Sequence, residues 1–199
     1  MFLAKLLSRL LHPIFIPTIT LSIISIKFVN IIILSTQLDI IIIGVMIFTL
    51  LFPLLSILYL LYTDRIKSLQ IEDRKERILP LTITIIWMFI GYYFLANILD
   101  YAPIIKTIYL GMIATLFTTL LITKYWKISL HMAAIGGCFG VFLAIQSIYG
   151  GVINYVILIL MLSGLLGYSR AMLKAHNMQQ IYSGFCLGVF MMIVFVSYL

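Results

Sequence analysis

Charge is what this sequence has least of. Only 10% of its 199 residues are charged, and just 6 are acidic, while 64% are hydrophobic. A soluble domain of this length could not hide so much apolar surface in one core, so the composition excludes an ordinary water-soluble protein. We expect lipid to be the solvent for most of the chain.

Histidine and cysteine are also scarce, and neither shows the pattern of a metal site. The three histidines show no Glu/His ligand spacing of the zinc or di-iron kind. Cys138 and Cys186 fall inside apolar runs, where a small core residue is the ordinary interpretation. We therefore expect no metal and no other cofactor.

Long uncharged runs make up most of the sequence, and they are continuously apolar instead of alternating, which favours helices over a membrane barrel. The run over 128–169 is too long for one span, and Tyr149-Gly150-Gly151 supplies a turn near its middle. The sequence predicts an all-α polytopic transmembrane helix bundle of six to seven spans, forming one integral membrane domain over 1–199. The predicted spans are 12–34, 40–62, 80–98, 104–123, 130–148, 152–168 and 180–198.

The first of these spans is interrupted at both ends. Pro13 and Pro17 stiffen its start, while Lys27 and Asn30 break its end, so the segment could instead lie in the interface or re-enter the membrane. The pattern of the preceding residues, 1–11, indicates an amphipathic helix on the membrane surface, because Lys5, Arg9 and the adjoining His12 lie at helical spacing. A signal peptide is the alternative, but no small-residue cleavage site follows.

The basic residues are unevenly divided between the two sides of this topology. Counting turns places the loops 63–79, 124–129 and 169–179 beside the N-terminus, and of 13 Lys and Arg residues only Lys27 and Lys106 lie on the opposite side. As a positive-inside signal, the bias makes the charged side the cytoplasmic face of the cell membrane. Cations retained for an anionic ligand would produce the same count. Because the cations sit in short loops between spans, membrane anions are a nearer partner than nucleic acid.

Two of these loops carry residues suited to phosphate chemistry. In the third, Ser169-Arg170 precedes His176, and Gln180 follows one helical turn later, where its oxygen can accept a hydrogen bond from the imidazole and hold the ring. In the second, Lys127, Ser129 and His131 open a span, where free first-turn N–H groups favour an anion.

The first loop, 64–80, is dense in charge and has two interpretations. Its cations and acids recur at helical spacing, which is typical of a short ion-paired helix on the membrane surface. Alternatively, some of the cations turn inward and clamp a phosphate.

Small residues paired four apart, Gly136 with Gly140 and Gly184 with Gly188, indicate close helix packing in the spans that follow the other loops.

Together these residues resemble the type 2 phosphatidic acid phosphatase superfamily of membrane lipid phosphatases. The match to its third motif, Ser-Arg-x5-His-x3-Asp, covers Ser169, Arg170 and His176, with Gln180 where the family has Asp. Ser129 and His131 match two of the four positions of Pro-Ser-Gly-His. For Lys-x6-Arg-Pro the candidates are Lys67 with Arg74, or alternatively Arg77 shortly before Pro80.

The resemblance implies a six-helix core and metal-independent hydrolysis of a lipid phosphomonoester or diphosphate. It implies that His176 is the nucleophile, forming a phosphohistidine, and that His131 donates a proton to the leaving alkoxide. The residues implied to hold the phosphate are Lys67, Arg74, Arg77, Lys127, Ser129, Ser169 and Arg170.

Gln180 leaves a second function open. A neutral side chain can fix the tautomer of His176 but cannot stabilise an imidazolium as a carboxylate does. The alternative is a non-catalytic relative that binds or moves an anionic lipid headgroup, while an acid in the first loop, Glu72, Asp73 or Glu76, could instead take over the missing role. A prenyltransferase is a third possibility, but its magnesium-binding Asp clusters are not found here.

Overall fold

The chain folds as a bundle of α-helices in the computed structural model, which describes residues 1–27, 35–71 and 73–198, without the side chains of 35–38. No strand occurs in these residues. The helices are α1 (Phe2–Leu10), α2 (Ile16–Lys27), α3 (Ser35–Met46), α4 (Phe52–Tyr62), α5 (Ile78–Leu99), α6 (Pro103–Tyr125), α7 (Leu130–Ile148), α8 (Ile153–Met172) and α9 (Met178–Ser197). A π-helical turn, Ile47–Leu51, joins α3 to α4.

Six helical segments of the described chain are long and apolar enough to cross a membrane, which confirms the predicted helical membrane bundle. The turn predicted at Tyr149-Gly150-Gly151 also exists, and both glycines adopt positive φ values, 70° and 75°. This left-handed conformation strains any residue with a Cβ. The six segments are Asp39–Tyr62, Lys75–Leu99, Pro103–Tyr125, Leu130–Ile148, Ile153–Met172 and Met178–Ser197.

The predicted first span, 12–34, is represented by the shorter helix α2. Its 12 residues extend about 18 Å, against a hydrocarbon core of about 30 Å. Asn30 and the rest of 28–34 lie outside the described residues. Inside the bundle, the Oγ1 atoms of Thr18 and Thr49 lie 2.7 Å apart and join α2 to the π-helical turn.

Helices α7 and α9 approach each other closely, and glycine makes the approach possible. A Cβ on Gly136 would lie 2.3 Å from the Phe185 carbonyl oxygen, and one on Gly188 would lie 2.2 Å from the Ala133 oxygen. Such distances exclude any larger residue without separation of the helices. The packing predicted for these glycines therefore also fixes the first turns of α7 and α9 side by side.

Hydrogen bonds join the three charged loops at one end of the bundle, referred to below as the charged end. The Ser129 N–H donates to the Gln180 carbonyl oxygen over 3.3 Å, and Arg77 Nη1 donates to the Ile128 oxygen over 3.2 Å. The predicted amphipathic helix α1 packs there against α8. It buries Ala4 and Ser8 and leaves its basic residues exposed.

Candidate active site

A cavity of about 140 Å³ opens at the charged end and extends into the bundle. All three histidines of the chain line it, together with two buried arginines. These residues come from four separate places in the sequence: the segment after α1, the start of α5, the start of α7, and the end of α8 with the loop that follows. The histidine and arginine side chains on the cavity wall are His12, Arg77, His131, Arg170 and His176.

His176 is held by the first turn of α9. Its Nδ1 atom lies 2.9 Å from Gln180 Oε1, and the same oxygen accepts the Asn177 N–H over 3.4 Å. The Asn177 side chain in turn accepts the Gln180 N–H, which completes a capping box. Because an amide oxygen only accepts, Nδ1 carries the proton and Nε2 keeps its lone pair.

The surroundings of His176 keep its ring neutral. Burial, which penalises the charged form, lowers the pKa of His176 to about 4, although the Gln180 hydrogen bond opposes the change. The positive charges of Arg77, Arg170 and Lys127 depress the pKa further. An uncharged imidazole with an available Nε2 lone pair is the form that can act as a nucleophile.

His131 is the second residue of α7 and lies in its first turn, close to the N-cap Ser129. The Ser129 side chain accepts the Met132 N–H over 3.4 Å and is fully buried, so it serves as a helix cap in this structure. His131 Nε2 lies 3.1 Å from the Ser8 carbonyl oxygen. Since a carbonyl only accepts, Nε2 of His131 carries its proton and points a donor at this position.

Arg170 lies in the last turn of α8 and is only 3% exposed. Its Nη1 atom donates to Ser8 Oγ over 3.4 Å. The neighbouring Ser169 is also buried, but its hydroxyl donates to the Leu165 carbonyl oxygen in its own helix, 2.7 Å away. Of this predicted pair, Arg170 lines the cavity and Ser169 does not.

The first loop contributes Arg77 to the cavity. Arg77 is 4% exposed, and its Nε donates to the Ile71 carbonyl oxygen over 2.7 Å. Arg74 Nη1 instead donates to the Lys124 oxygen over 2.6 Å, at the end of α6. The side chain of Lys67 is 88% exposed and pairs with Glu76 at 3.8 Å. The structure thus places Arg77, the alternative arginine, with the histidines, and places Lys67 and Arg74 outside the cavity lining.

The remaining predicted cation, Lys127, is half-buried and acts on His176 through its charge. The acids considered as replacements for the missing Asp have other contacts. Asp73 Oδ1 accepts the Lys75 N–H over 3.0 Å, and Glu76 faces Lys67. Neither lines the cavity, and Glu72 lies outside the described residues. Nor do three His, Cys, Asp or Glu side chains gather in a metal-binding arrangement anywhere in the described part of the chain.

Two residues of the site escaped prediction from sequence. Ser8 contacts both His131 and Arg170, and the His12 ring stands edge-on to the His131 ring with centroids 5.3 Å apart. Burial, with a smaller effect from the charge of Arg170, lowers the pKa of His12, and a hydrogen bond to the Leu69 backbone opposes the change. The available signal was a serine on the buried stripe of an otherwise apolar and basic helix.

No family model, curated protein or solved structure matches this chain. The chemistry that the site can perform therefore follows from its residues alone. A neutral histidine with an available Nε2 lone pair, a second histidine presenting an N–H and two buried guanidinium groups share one cavity. This set suits an anion that can be attacked by nitrogen and stabilised by cations.

Proposed function

We propose that this protein is a membrane-embedded lipid-phosphate phosphatase that acts through a phosphohistidine on His176. The observation that carries the proposal is the hydrogen bond from His176 Nδ1 to Gln180 Oε1 in a cavity lined by a second histidine and two arginines. The bond leaves Nε2 as the reactive nitrogen. The proposed reaction consumes the lipid phosphate and water, and no metal takes part in it.

The first chemical step is an in-line displacement at phosphorus. The His176 Nε2 lone pair forms the N–P bond while the bond from phosphorus to the lipid oxygen breaks. Arg77 and Arg170 offset the charge on the phosphoryl oxygens. The negative charge of the bound phosphate favours the protonated, cationic form of His131, which then gives the Nε2 proton to the departing lipid alkoxide.

The second step regenerates the enzyme. Water attacks phosphorus and gives a proton to His131, while the N–P bond breaks and its electron pair returns to His176 Nε2. Inorganic phosphate and the free alcohol of the lipid are the products. Each residue returns to its starting protonation state.

The N-terminal helix must yield as substrate binds. Ser8 supplies the acceptor for His131 Nε2 and a partner for Arg170 Nη1. In the proposed mechanism the lipid oxygen replaces the Ser8 carbonyl at His131, and a phosphoryl oxygen replaces the Ser8 hydroxyl at Arg170. Helix α1 therefore lies where substrate enters the polar end of the cavity.

Trapping of the intermediate tests this function. Purified protein in detergent should release phosphate from phosphatidate, and acid-labile 32P should appear on the protein during turnover. His176→Asn should abolish both signals, while His12→Asn should leave the covalent label. Phosphate release that persists in His176→Asn would remove the basis for the assignment.

A second function, binding or moving an anionic lipid headgroup without hydrolysis, is favoured by one observation. The Gln180 side chain is neutral and already serves the α9 capping box. This alternative predicts saturable phosphatidate binding that is weakened by Arg170→Ala, with no phosphate release. A trapped phosphohistidine excludes it.

We place the charged end on the cytoplasmic face of the cell membrane, on the strength of the uneven distribution of Lys and Arg. Single cysteines introduced into the exposed loop at Lys67 or Lys75 would report the side, in a background lacking Cys138 and Cys186. A membrane-impermeant maleimide should leave these cysteines unlabelled in intact cells. Labelling would instead assign the loop to the outside.

A further inference from the structure

Three residues other than glycine adopt positive φ values among those the structure describes, and two of them end helices. Asp64 (φ 56°) follows α4, and Lys174 (φ 52°) follows α8. In both cases the N–H groups of that residue and of the next one donate to carbonyl oxygens of the last helical turn, which is the Schellman motif. Helix termination therefore accounts for the left-handed backbone at Asp64 and Lys174.

Ile71 (φ 41°) is the third such residue, and it lies within the first loop, before the 3₁₀ turn Lys75–Arg77. A β-branched residue is strained in the left-handed region, and such strain persists only where the surrounding structure enforces it. Here the Ile71 N–H donates to the Ser68 carbonyl oxygen over 3.2 Å, and the side chain packs with Leu60 and Ile66 in a small buried cluster. The fold thus maintains a backbone conformation that isoleucine disfavours.

The carbonyl group of Ile71 holds the guanidinium of Arg77. It accepts the Arg77 Nε–H over 2.7 Å, while Arg77 Nη1 donates to the Ile128 oxygen over 3.2 Å. Because a guanidinium is planar, bonds from two of its nitrogens to two separate loops fix the plane of the group. Arg77, held in this way, lines the cavity, and its charge acts on His176.

The turn that contains Ile71 also holds a second side chain of the site. Leu69, Gln70 and Ile71 all line the cavity. The Leu69 backbone accepts a hydrogen bond from His12, which links the turn to the segment after α1. Backbone groups of one short turn thus orient two cavity side chains, His12 and Arg77, that come from different parts of the chain.

Building on the proposed function, we propose that Ile71 is a positioning residue for phosphoryl transfer. Its left-handed backbone directs the carbonyl oxygen to Arg77 Nε and so fixes the guanidinium where it stabilises the charge on the phosphoryl oxygens. A φ of about −65° would rotate the chain around the N–Cα bond of Ile71 by about 100°, which moves the carbonyl away from Arg77. The strain at Ile71 is therefore explained by the need to orient Arg77 before substrate binds.

The test compares Ile71→Pro with Ile71→Gly. Both remove the side chain from its buried cluster, but proline fixes φ at about −65° and excludes the left-handed backbone, whereas glycine adopts it without strain. Ile71→Pro should therefore lower kcat for phosphate release from phosphatidate by roughly 10- to 100-fold, and Ile71→Gly should stay within about threefold of the wild type. Asp64→Gly, which adds the same backbone freedom at a left-handed residue outside the cavity lining, should match the wild type.

Proline also removes the N–H that donates to Ser68, so a second comparison isolates the contact with Arg77. In Arg77→Lys the Nε–H is absent, and there is nothing for the Ile71 carbonyl to orient. Ile71→Pro should therefore lower kcat by no more than about twofold in the Arg77→Lys background, because changes to two groups in contact are not additive. Losses that multiply in the double variant would overturn the proposal, since Ile71 would then act independently of Arg77.

Hydrogen exchange of the Arg77 Nε–H tests the contact without turnover. It is measured by NMR on 15N-arginine-labelled protein in detergent, with the signal assigned by its loss in Arg77→Lys. The Nε–H should exchange slowly in the wild type and in Ile71→Gly, and at least tenfold faster in Ile71→Pro. Unchanged exchange in Ile71→Pro would overturn the proposal. So would a wild-type Nε–H that exchanges as fast as that of the exposed Arg65, a result that does not require the proline variant to fold.

The two readouts separate this proposal from the proposed function on which it rests. The expected exchange pattern in a protein that releases no phosphate would refute the phosphatase, and would still support Ile71 as the residue that orients Arg77. Phosphate release that is equal in Ile71→Pro and the wild type would leave the phosphatase standing and refute the role of Ile71.

Discussion

Replacing Gln180 by Glu tests how the nucleophile is held. The change keeps the length of the side chain and its place in the α9 capping box, and adds a negative charge to a group that now lies 2.9 Å from His176 Nδ1. A carboxylate this close favours the imidazolium. The pKa of His176, which burial lowers to about 4, should therefore rise.

The size of the rise follows from the geometry. An opposite charge within about 4–6 Å raises the pKa of a cationic acid by about 1–3, and Gln180 is half-exposed, so solvent screens part of the effect. We expect a pKa of about 5–6 in Gln180→Glu. The nucleophile is lost when pH falls through this value, so the acid limb of kcat/KM moves upward. Around pH 7.5 the ring is still mostly neutral, and support for the developing imidazolium should speed phosphohistidine formation by about tenfold.

The assay is a pH profile of kcat/KM together with NMR titration of 15N-labelled histidine, which is tractable because the chain has only three. Gln179→Glu is the matched control, since it adds the same charge one residue away on an exposed side chain. Its pKa effect on His176 should be a few tenths at most. An acid limb that stays near pH 4 in Gln180→Glu, or one that moves equally in both variants, would refute the assigned contact.

Two further comparisons follow from the packing and from the first loop. Gly188→Ala should lower the melting temperature and the activity together, because its Cβ would lie 2.2 Å from the Ala133 oxygen. Gly164→Ala, whose Cβ would meet no atom within 4 Å beyond its own helix backbone and chain neighbours, should match the wild type in both thermal unfolding and phosphate release. Arg77→Lys should reduce kcat by about 10²-fold or more, since a cavity-lining planar donor is replaced by a point charge. Arg74→Lys should keep kcat within about threefold of wild type, since Arg74 binds the end of α6; a larger loss would assign Arg74 to the site.

The spans could be predicted because they depend on local composition. A hydrocarbon solvent demands about 20 apolar residues in a row, and that demand is visible in any single segment. The division of 128–169 was predictable for the same reason, since the consecutive glycines Gly150 and Gly151, both at positive φ, separate the end of α7 from the start of α8. The π-helical turn at Ile47–Leu51 was not predictable, because the apolar run continues through it without a change of pattern.

In the first loop, sequence alone could not identify which basic residue enters the cavity. Lys67, Arg74 and Arg77 are alike in charge and belong to the same loop. What separates them is where the chain turns. Arg77 immediately precedes α5 and donates to the Ile128 carbonyl of a loop that is distant in sequence. Arg74 instead contacts the end of α6, and Lys67 lies in the solvent beside Glu76.

The contacts of the site could likewise be predicted where they are local in sequence, and could not where they join distant segments. His176 and Gln180 are four residues apart at the start of a helix, so their hydrogen bond follows from helical geometry and could be predicted from spacing. Ser8 and Arg170 are separated by most of the chain, and their contact depends on how α1 packs against α8. No periodicity reports such a contact. The contact that orients His176 was therefore predictable from sequence, while the contacts of α1 with His131 and Arg170 required the tertiary structure.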